Sequence, residues 1–195
     1  MTTATQITLF RIFLIPVFIG LAIYYGQSVA EGRPDESLRW WAIAVFAIAS
    51  ISDAIDGYIA RHFNQRSRLG QILDPLADKV LMFSALVTLS FAHWEPHFPL
   101  WFPLVVIFRD LAVVGGWALV NHVTGTKIEV RPHWTGKTAT FFLLASILWL
   151  MLNIRIPPLV WPTAIAALLT AMSGLIYLAE TVRHIQRHHD SIPKP

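Results

Sequence analysis

Four aspartates, Asp53, Asp56, Asp74 and Asp78, stand in the stretch SDAIDGYIARHFNQRSRLGQILDPLADK, inside a chain that otherwise reads as apolar helix. An ionised side chain at the centre of a bilayer costs at least about 2.5–3.5 kcal/mol, so acids kept there mark a functional site. Asp53 and Asp56 are three residues apart and Asp74 and Asp78 four apart, which puts each pair on one face of its helix. Two facing pairs repel one another unless cations sit between them. Hard oxygen donors without histidine or cysteine suit Mg²⁺ or Mn²⁺, and four carboxylates provide for two ions. The residues between the pairs leave room for an anion. Gly57 removes a side chain beside Asp56, Ala60 keeps the next turn small, Gly70 lies one turn before Asp74, and the Arg61 guanidinium can hold a phosphate through two bonds. Each has a plain alternative: small-residue helix packing for Gly57 and Ala60, a membrane-interface anchor for Arg61.

Membrane helices must position these side chains. The 195 residues are 55% hydrophobic and only 14% charged, against about 25% charged in soluble domains, and the mean hydropathy is +0.54. Apolar stretches near the roughly 20 residues needed to span a bilayer recur along the whole length. The expected fold is therefore all-α, a bundle of six transmembrane helices forming a single domain over residues 1–195. The spans fall at Ile7–Gly26, Leu38–Ala60, Gln71–His93, Leu100–His122, Thr135–Asn153 and Leu159–Arg183. No cysteine is present, which excludes disulfides and thiolate metal sites. MTTATQ lacks the basic region and cleavage site of a signal peptide, so the first span is expected to stay in the chain.

Charge orients the bundle. Arg61, Arg66 and Arg68 follow span two without an acid, Lys127, Arg131 and Lys137 fall between spans four and five, and Arg183, Arg187 and Lys194 lie on the tail. Only Arg33, Arg39 and Arg155 fall on the other side, so both termini are expected in the cytoplasm. The net charge of +3 and the pI near 9.5 follow from this orientation and do not call for a nucleic-acid partner. With Arg61 and Gly70 at the membrane surface, a rise of about 1.5 Å per residue puts Asp56 and Asp74 roughly 6–8 Å deep, and Asp53 and Asp78 roughly 12 Å deep. Two antiparallel helices would thus face their acids across one cleft in two tiers. Tryptophans near span ends, among them Trp40, Trp41, Trp94, Trp101, Trp134 and Trp161, fit an aromatic belt among membrane lipids. His184, His188 and His189 read as interfacial.

The full spacing, D-x-x-D-G-x-x-A-R, eight residues, then G-x-x-x-D-x-x-x-D, resembles the signature of the CDP-alcohol phosphatidyltransferase family at every fixed position. The LDPLADK segment looks like the form found in its phosphatidylglycerophosphate and cardiolipin synthases. The resemblance implies a metal-dependent enzyme that takes a CDP-linked lipid, usually CDP-diacylglycerol, transfers its phosphatidyl group to an alcohol and releases CMP. It implies metal ligation by Asp53, Asp56 and Asp74, and a role as ligand or general base for Asp78. Gly57, Ala60, Arg61 and Gly70 would line the cytidine diphosphate site. Span one opens TQITLFRIFLIP, where Thr8, Arg11 and Pro16 match the T-x-x-R-x-x-x-x-P start typical of these synthases, although Thr5 replaces their usual asparagine. Arg11 would meet a nucleotide phosphate or an aspartate; its alternative is an interfacial anchor.

The acceptor would be held by residues elsewhere. Arg109 lies inside span four beside Asp110, and the two could equally neutralise each other. In RPHWTGKTAT, Lys137 and Thr140 resemble part of the family's G-K-x-K-T-x-x-Q acceptor segment, with Ala139 and Leu143 departing from it; Arg131 and His133 lie beside it. The acceptor expected first is glycerol 3-phosphate, giving phosphatidylglycerol phosphate; the alternative is phosphatidylglycerol, giving cardiolipin. A membrane metal or ion transporter would also place acids in membrane helices, but no internal repeat is present. Ala164, Ala167, Ala171 and Gly174 on span six could pack on another helix or on the second subunit of a homodimer, an assembly common in the family. A short chain with minimal tails fits a bacterial cytoplasmic membrane, with the active site facing the cytoplasm.

Overall fold

The computed structural model describes the backbone of residues 3–62, 68–124 and 134–190; side chains within those segments are described except at 3–5, 53–62, 68–72, 74–75, 117, 119–124, 181 and 184–190. Six α-helices appear among the described residues, with no strand: α1 (Thr3–Ala30), α2 (Glu36–His62), α3 (Arg68–Phe91), α4 (Trp101–Thr124), α5 (Trp134–Met151) and α6 (Val160–Asp190). Each overlaps one of the six expected apolar stretches, with α3, α4, α5 and α6 stopping or starting one or two residues inside the expected bounds. Three stretches of the described residues are long and apolar enough to cross a membrane: Gln6–Ala30, Trp134–Met151 and Val160–Glu180.

The helices stop where local chemistry stops them. α1 ends at Ala30, and the turn after it is closed by Gly32, whose φ of +74° is costly for any residue with a Cβ; Gly32 N–H donates to Val29 O and Arg33 N–H to Ser28 O. α2 starts after Asp35, whose Oδ1 accepts from Ser37 N–H at 3.0 Å and so satisfies one of the unpaired donors of the first turn. After α5, Asn153 takes φ +53°, the left-handed conformation asparagine tolerates best after glycine, and Ile154 N–H reaches back to Trp149 O.

The chain forms two compact units. The first comprises residues 1–99 with 147–154. In it α1 packs against both α2 and α3, while among the described residues α2 and α3 touch each other only sparingly. Ile15, Phe18, Ala22 and Tyr25 recur every three or four residues and form the buried stripe of α1. Ala42, Phe46 and Ala49 answer from α2, and Ala77, Leu81, Ala85 and Leu89 from α3. Alanines at these positions let helix backbones approach closely. Phe18 and Phe46 fill the space the alanines leave, with ring centroids 5.4 Å apart.

Trp94 departs from the belt expected of it. It is 2% exposed, donates its Nε1–H to Ala22 O at 2.9 Å, and stands edge-on to Tyr25 at 4.5 Å. A buried indole needs a partner for its N–H, and the α1 carbonyl supplies one. Trp40, Trp41, Trp101, Trp134 and Trp161 are exposed, as a belt requires. Beside Trp94, Gly26 lies against the Ala92 backbone so closely that a Cβ on it would overlap the Ala92 carbonyl oxygen.

The second unit comprises residues 100–146 and 155–195, and its main contact is α4 on α6. The face α6 buries is Thr163, Ala166, Thr170, Ser173 and Gly174. Of the small residues expected to make a packing stripe, Gly174 does so, against α4 of its own chain, while Ala164 and Ala171 are exposed. The hydroxyl residues took the position because a Ser or Thr on a helix can bond a carbonyl one turn back and then pack as a small side chain, as Thr163 does with Leu159 O at 2.7 Å.

Candidate active site

The motif is carried by α2 and α3, the two helices packed on α1. Asp53, Asp56, Gly57, Ala60 and Arg61 lie on the last turns of α2, and Gly70, Asp74 and Asp78 on the first turns of α3. Of these, only Asp78 has a described side chain; those of the others lie outside the described residues. Asp78 is half-buried, between the buried Ala77 and the exposed Lys79, so its neighbouring cation points elsewhere, as successive helix positions about 100° apart require.

Thr8 and Arg11 are both fully buried. Arg11 is thus not an interfacial anchor: its Nε–H points to Ser52 Oγ at 3.4 Å, and Ser52 in turn donates to Ala49 O at 2.7 Å. Ser52 directly precedes Asp53. A buried guanidinium must be paired to be tolerated, and this pairing ties α1 to the turn of α2 on which the motif begins. Sequence reasoning passed over Ser52, although a hydroxyl one residue before the first motif acid, in a run of apolar residues, was a visible signal.

Among the described residues no three potential ligand side chains converge on one point, the motif acids being for the most part outside that set. The donor chemistry can still be tested for fit: four carboxylates with no cysteine in the chain are a hard-oxygen set, which suits Mg²⁺ or Mn²⁺ and disfavours softer ions.

A second group of expected residues meets inside the second unit. Arg109, Gly136, Lys137, Thr140, Phe141 and Tyr177 line one cleft of about 440 Å³. Arg109 and Asp110 do bond each other, Nη1 to Oδ1 at 2.7 Å, despite being adjacent on one helix. Arg109 Nη2 also donates to Ser173 Oγ at 2.8 Å, while its Nε is buried with no hydrogen-bond partner. A guanidinium has five N–H donors; with these two engaged and the Nε–H buried, one on each Nη remains. Lys137 is exposed, and the Thr140 hydroxyl bonds Gly136 O at 3.0 Å. Ala139 and Leu143, which depart from the acceptor pattern, are 4% and 6% exposed, so a lysine or glutamine there would enter an apolar interior. Arg131 and His133 lie outside the described residues.

Comparison with known proteins decides the family: residues 1–178 match the sequence model described as CDP-alcohol phosphatidyltransferase. The chain belongs to that family. As a CDP-alcohol phosphatidyltransferase it is a transferase of phospholipid biosynthesis, which displaces the transporter alternative. It is similar over 93% of its length, at 34% identity, to a Mycobacterium tuberculosis protein named "Probable phosphatidylglycerophosphate synthase", covering 82% of that protein. It is 31% identical to a Haemophilus influenzae protein named "CDP-diacylglycerol--glycerol-3-phosphate 3-phosphatidyltransferase", across 88% of this chain and 89% of the relative. An Escherichia coli protein of the same name is 30% identical, across 90% and 92%.

Proposed function

We propose that this chain transfers the phosphatidyl group of CDP-diacylglycerol to glycerol 3-phosphate, forming phosphatidylglycerol phosphate and CMP. The observation that carries the reading is the complete eight-position motif on α2 and α3, in a chain aligned over most of its length with relatives named for that reaction. Two cations, Arg109 and Lys137, line one cleft, which suits an acceptor bearing a phosphate; Arg131 is proposed as a further contact.

Asp53, Asp56 and Asp74, with Asp78, would hold divalent Mg²⁺ or Mn²⁺, two ions in number, which when bound neutralise charge on the pyrophosphate and on departing CMP. Gly57, Ala60, Arg61 and Gly70 take the cytidine diphosphate, and Thr8 and Arg11 support that end of α2 from α1. The acceptor hydroxyl attacks the phosphorus that carries diacylglycerol. An oxygen–phosphorus bond forms as the bond to the bridging oxygen breaks, CMP departs with that oxygen, and the hydroxyl proton passes to Asp78. General-base help of this kind is worth about 10²–10⁴ in rate. The six helices act as one membrane-embedded domain with both termini and the active site on the cytoplasmic side of a bacterial membrane. A homodimer would use the exposed small residues of α6, Ala164 and Ala171.

The test is an acceptor screen that follows CMP release from CDP-diacylglycerol in lipid vesicles. Glycerol 3-phosphate should support turnover and phosphatidylglycerol should not, and Asp78→Asn should lower kcat by about 10² or more while CDP-diacylglycerol still binds. Turnover with phosphatidylglycerol alone would reassign the protein as a cardiolipin synthase, and binding without turnover on any alcohol would end the enzyme reading for this chain.

A further inference from the structure

Arg109 is held more elaborately than a buried cation requires. Its carboxylate neighbour Asp110 takes Nη1 at 2.7 Å, and this alone would neutralise it. Yet α6 adds a second bond, from Nη2 to Ser173 Oγ at 2.8 Å, with Ser173 fully buried. Two glycines from two other helices then shape the space around the same side chain. A Cβ on Gly174 would stand 3.2 Å from Arg109 Cγ and 3.7 Å from its Cβ, so the stem lies against the bare backbone of α6. A Cβ on Gly136 of α5 would stand 3.2 Å from Arg109 Nη2 and 3.7 Å from Ser173 Oγ, directly over the bond between them. Stem, fork and partner are therefore each fixed from outside α4. The guanidinium so fixed lines the cleft together with Lys137.

We infer that Ser173 is a positioning residue for acceptor binding: it locks the Arg109 guanidinium, beneath Gly136 and beside Gly174, in the orientation that meets the acceptor's phosphate. The inference rests on the assignment of Arg109 and Lys137 to that phosphate. Orientation matters because arginine recognises phosphate through a planar fork, and a rotated fork loses one of two parallel bonds. Asp110 grips the Nη1 corner and Ser173 the Nη2 corner, so rotation about the guanidinium's own axis is stopped only when both are present. The Nε–H is buried, so the cleft meets the guanidinium through its Nη atoms, the two that Asp110 and Ser173 hold. A role limited to burying Arg109 would leave substrate affinity untouched once the protein had folded; a positioning role would not.

The experiment measures kcat and the KM of each substrate for full-length Ser173→Ala, Ser173→Cys and Ser173→Thr in lipid vesicles, with melting temperature followed alongside. Ser173→Cys keeps the branching of the side chain with a somewhat larger atom but offers only a weak acceptor, so it reads the hydrogen bond even if the alanine variant fails to fold. The expected result is a KM for glycerol 3-phosphate raised about tenfold in the alanine and cysteine variants, the scale of a hydrogen bond to a charged group, and restored toward wild type in the threonine variant. The KM for CDP-diacylglycerol should not move. Gly174→Ala, which pushes on the Arg109 stem, should raise the same KM. If wild type turns over glycerol 3-phosphate and the folded cysteine variant keeps its KM, the positioning role is wrong and the acceptor assignment stands. If both KM values and kcat shift together, Ser173 is structural only, and the inference fails. If wild type releases no CMP with glycerol 3-phosphate, the acceptor assignment fails and takes the inference with it.

Discussion

The contact between Gly26 and Ala92 makes a quantitative test of how α1 is seated. In Gly26→Ala the new Cβ would overlap the Ala92 carbonyl oxygen and lie 2.6 Å from the carbonyl carbon and 3.3 Å from the Ala92 Cβ. Real carbon atoms keep about 3.5–4.0 Å apart, so α1 and the chain at Ala92 must separate by roughly 1 Å or more. Neither side can yield cheaply, because the obstacle is backbone, and the adjoining Trp94 is fixed to Ala22 O and Tyr25. Overpacking costs about 1–3 kcal/mol when side chains can adjust, so about 3 kcal/mol is expected where backbone must move. For a chain of this size that lowers the melting temperature by about 6–12 °C. Gly20→Ala is the control. It lies on the same helix with nothing within 4 Å of its Cβ, so the gain in helix propensity of up to about 1 kcal/mol should raise melting by about 2–4 °C. Both variants would be melted in lipid nanodiscs at one scan rate, since membrane proteins commonly unfold irreversibly. A Gly26→Ala protein melting within 2 °C of wild type, or a Gly20→Ala protein falling as far, would refute the seating of α1 described above.

Two further outcomes concern the site. Arg11→Lys keeps the buried charge but loses the fork; the KM for CDP-diacylglycerol should rise about tenfold with the KM for acceptor unchanged, and equal changes in both would detach Arg11 from the donor site. Chelation with EDTA should stop CMP release and added Mg²⁺ or Mn²⁺ should restore it, while retained activity after exhaustive chelation would remove divalent ions from the mechanism.

The helices and the motif were legible in the sequence because both are local. Apolar runs mark helices one by one, and the acids repeat at helical spacing whatever lies around them. What was not legible depends on partners distant in the chain. Trp94 stands where a belt tryptophan would stand; only the Ala22 carbonyl, 72 positions earlier, makes it a core residue. Arg11 looks like any cation one turn into a membrane helix until Ser52 is placed beside it. On α6 the alanines read as the natural packing stripe, whereas Thr163, Thr170 and Ser173 pack inward, Thr163 bonding Leu159 O and Ser173 accepting from Arg109. The adjacency of Arg109 and Asp110 is enough to suggest that they neutralise each other, and they do bond, but the second grip from Ser173 comes only with the fold.

The arrangement of the first unit also bears on how the protein is made. α1 packs on both α2 and α3 within residues 1–99, and residues 147–154 join that unit from later in the chain. At a synthesis rate of about 5–20 residues per second, these three helices are complete seconds before α4 to α6 have left the ribosome. The two motif helices are therefore synthesised together with α1, the helix they pack on, and that packing does not wait for α4 or α6.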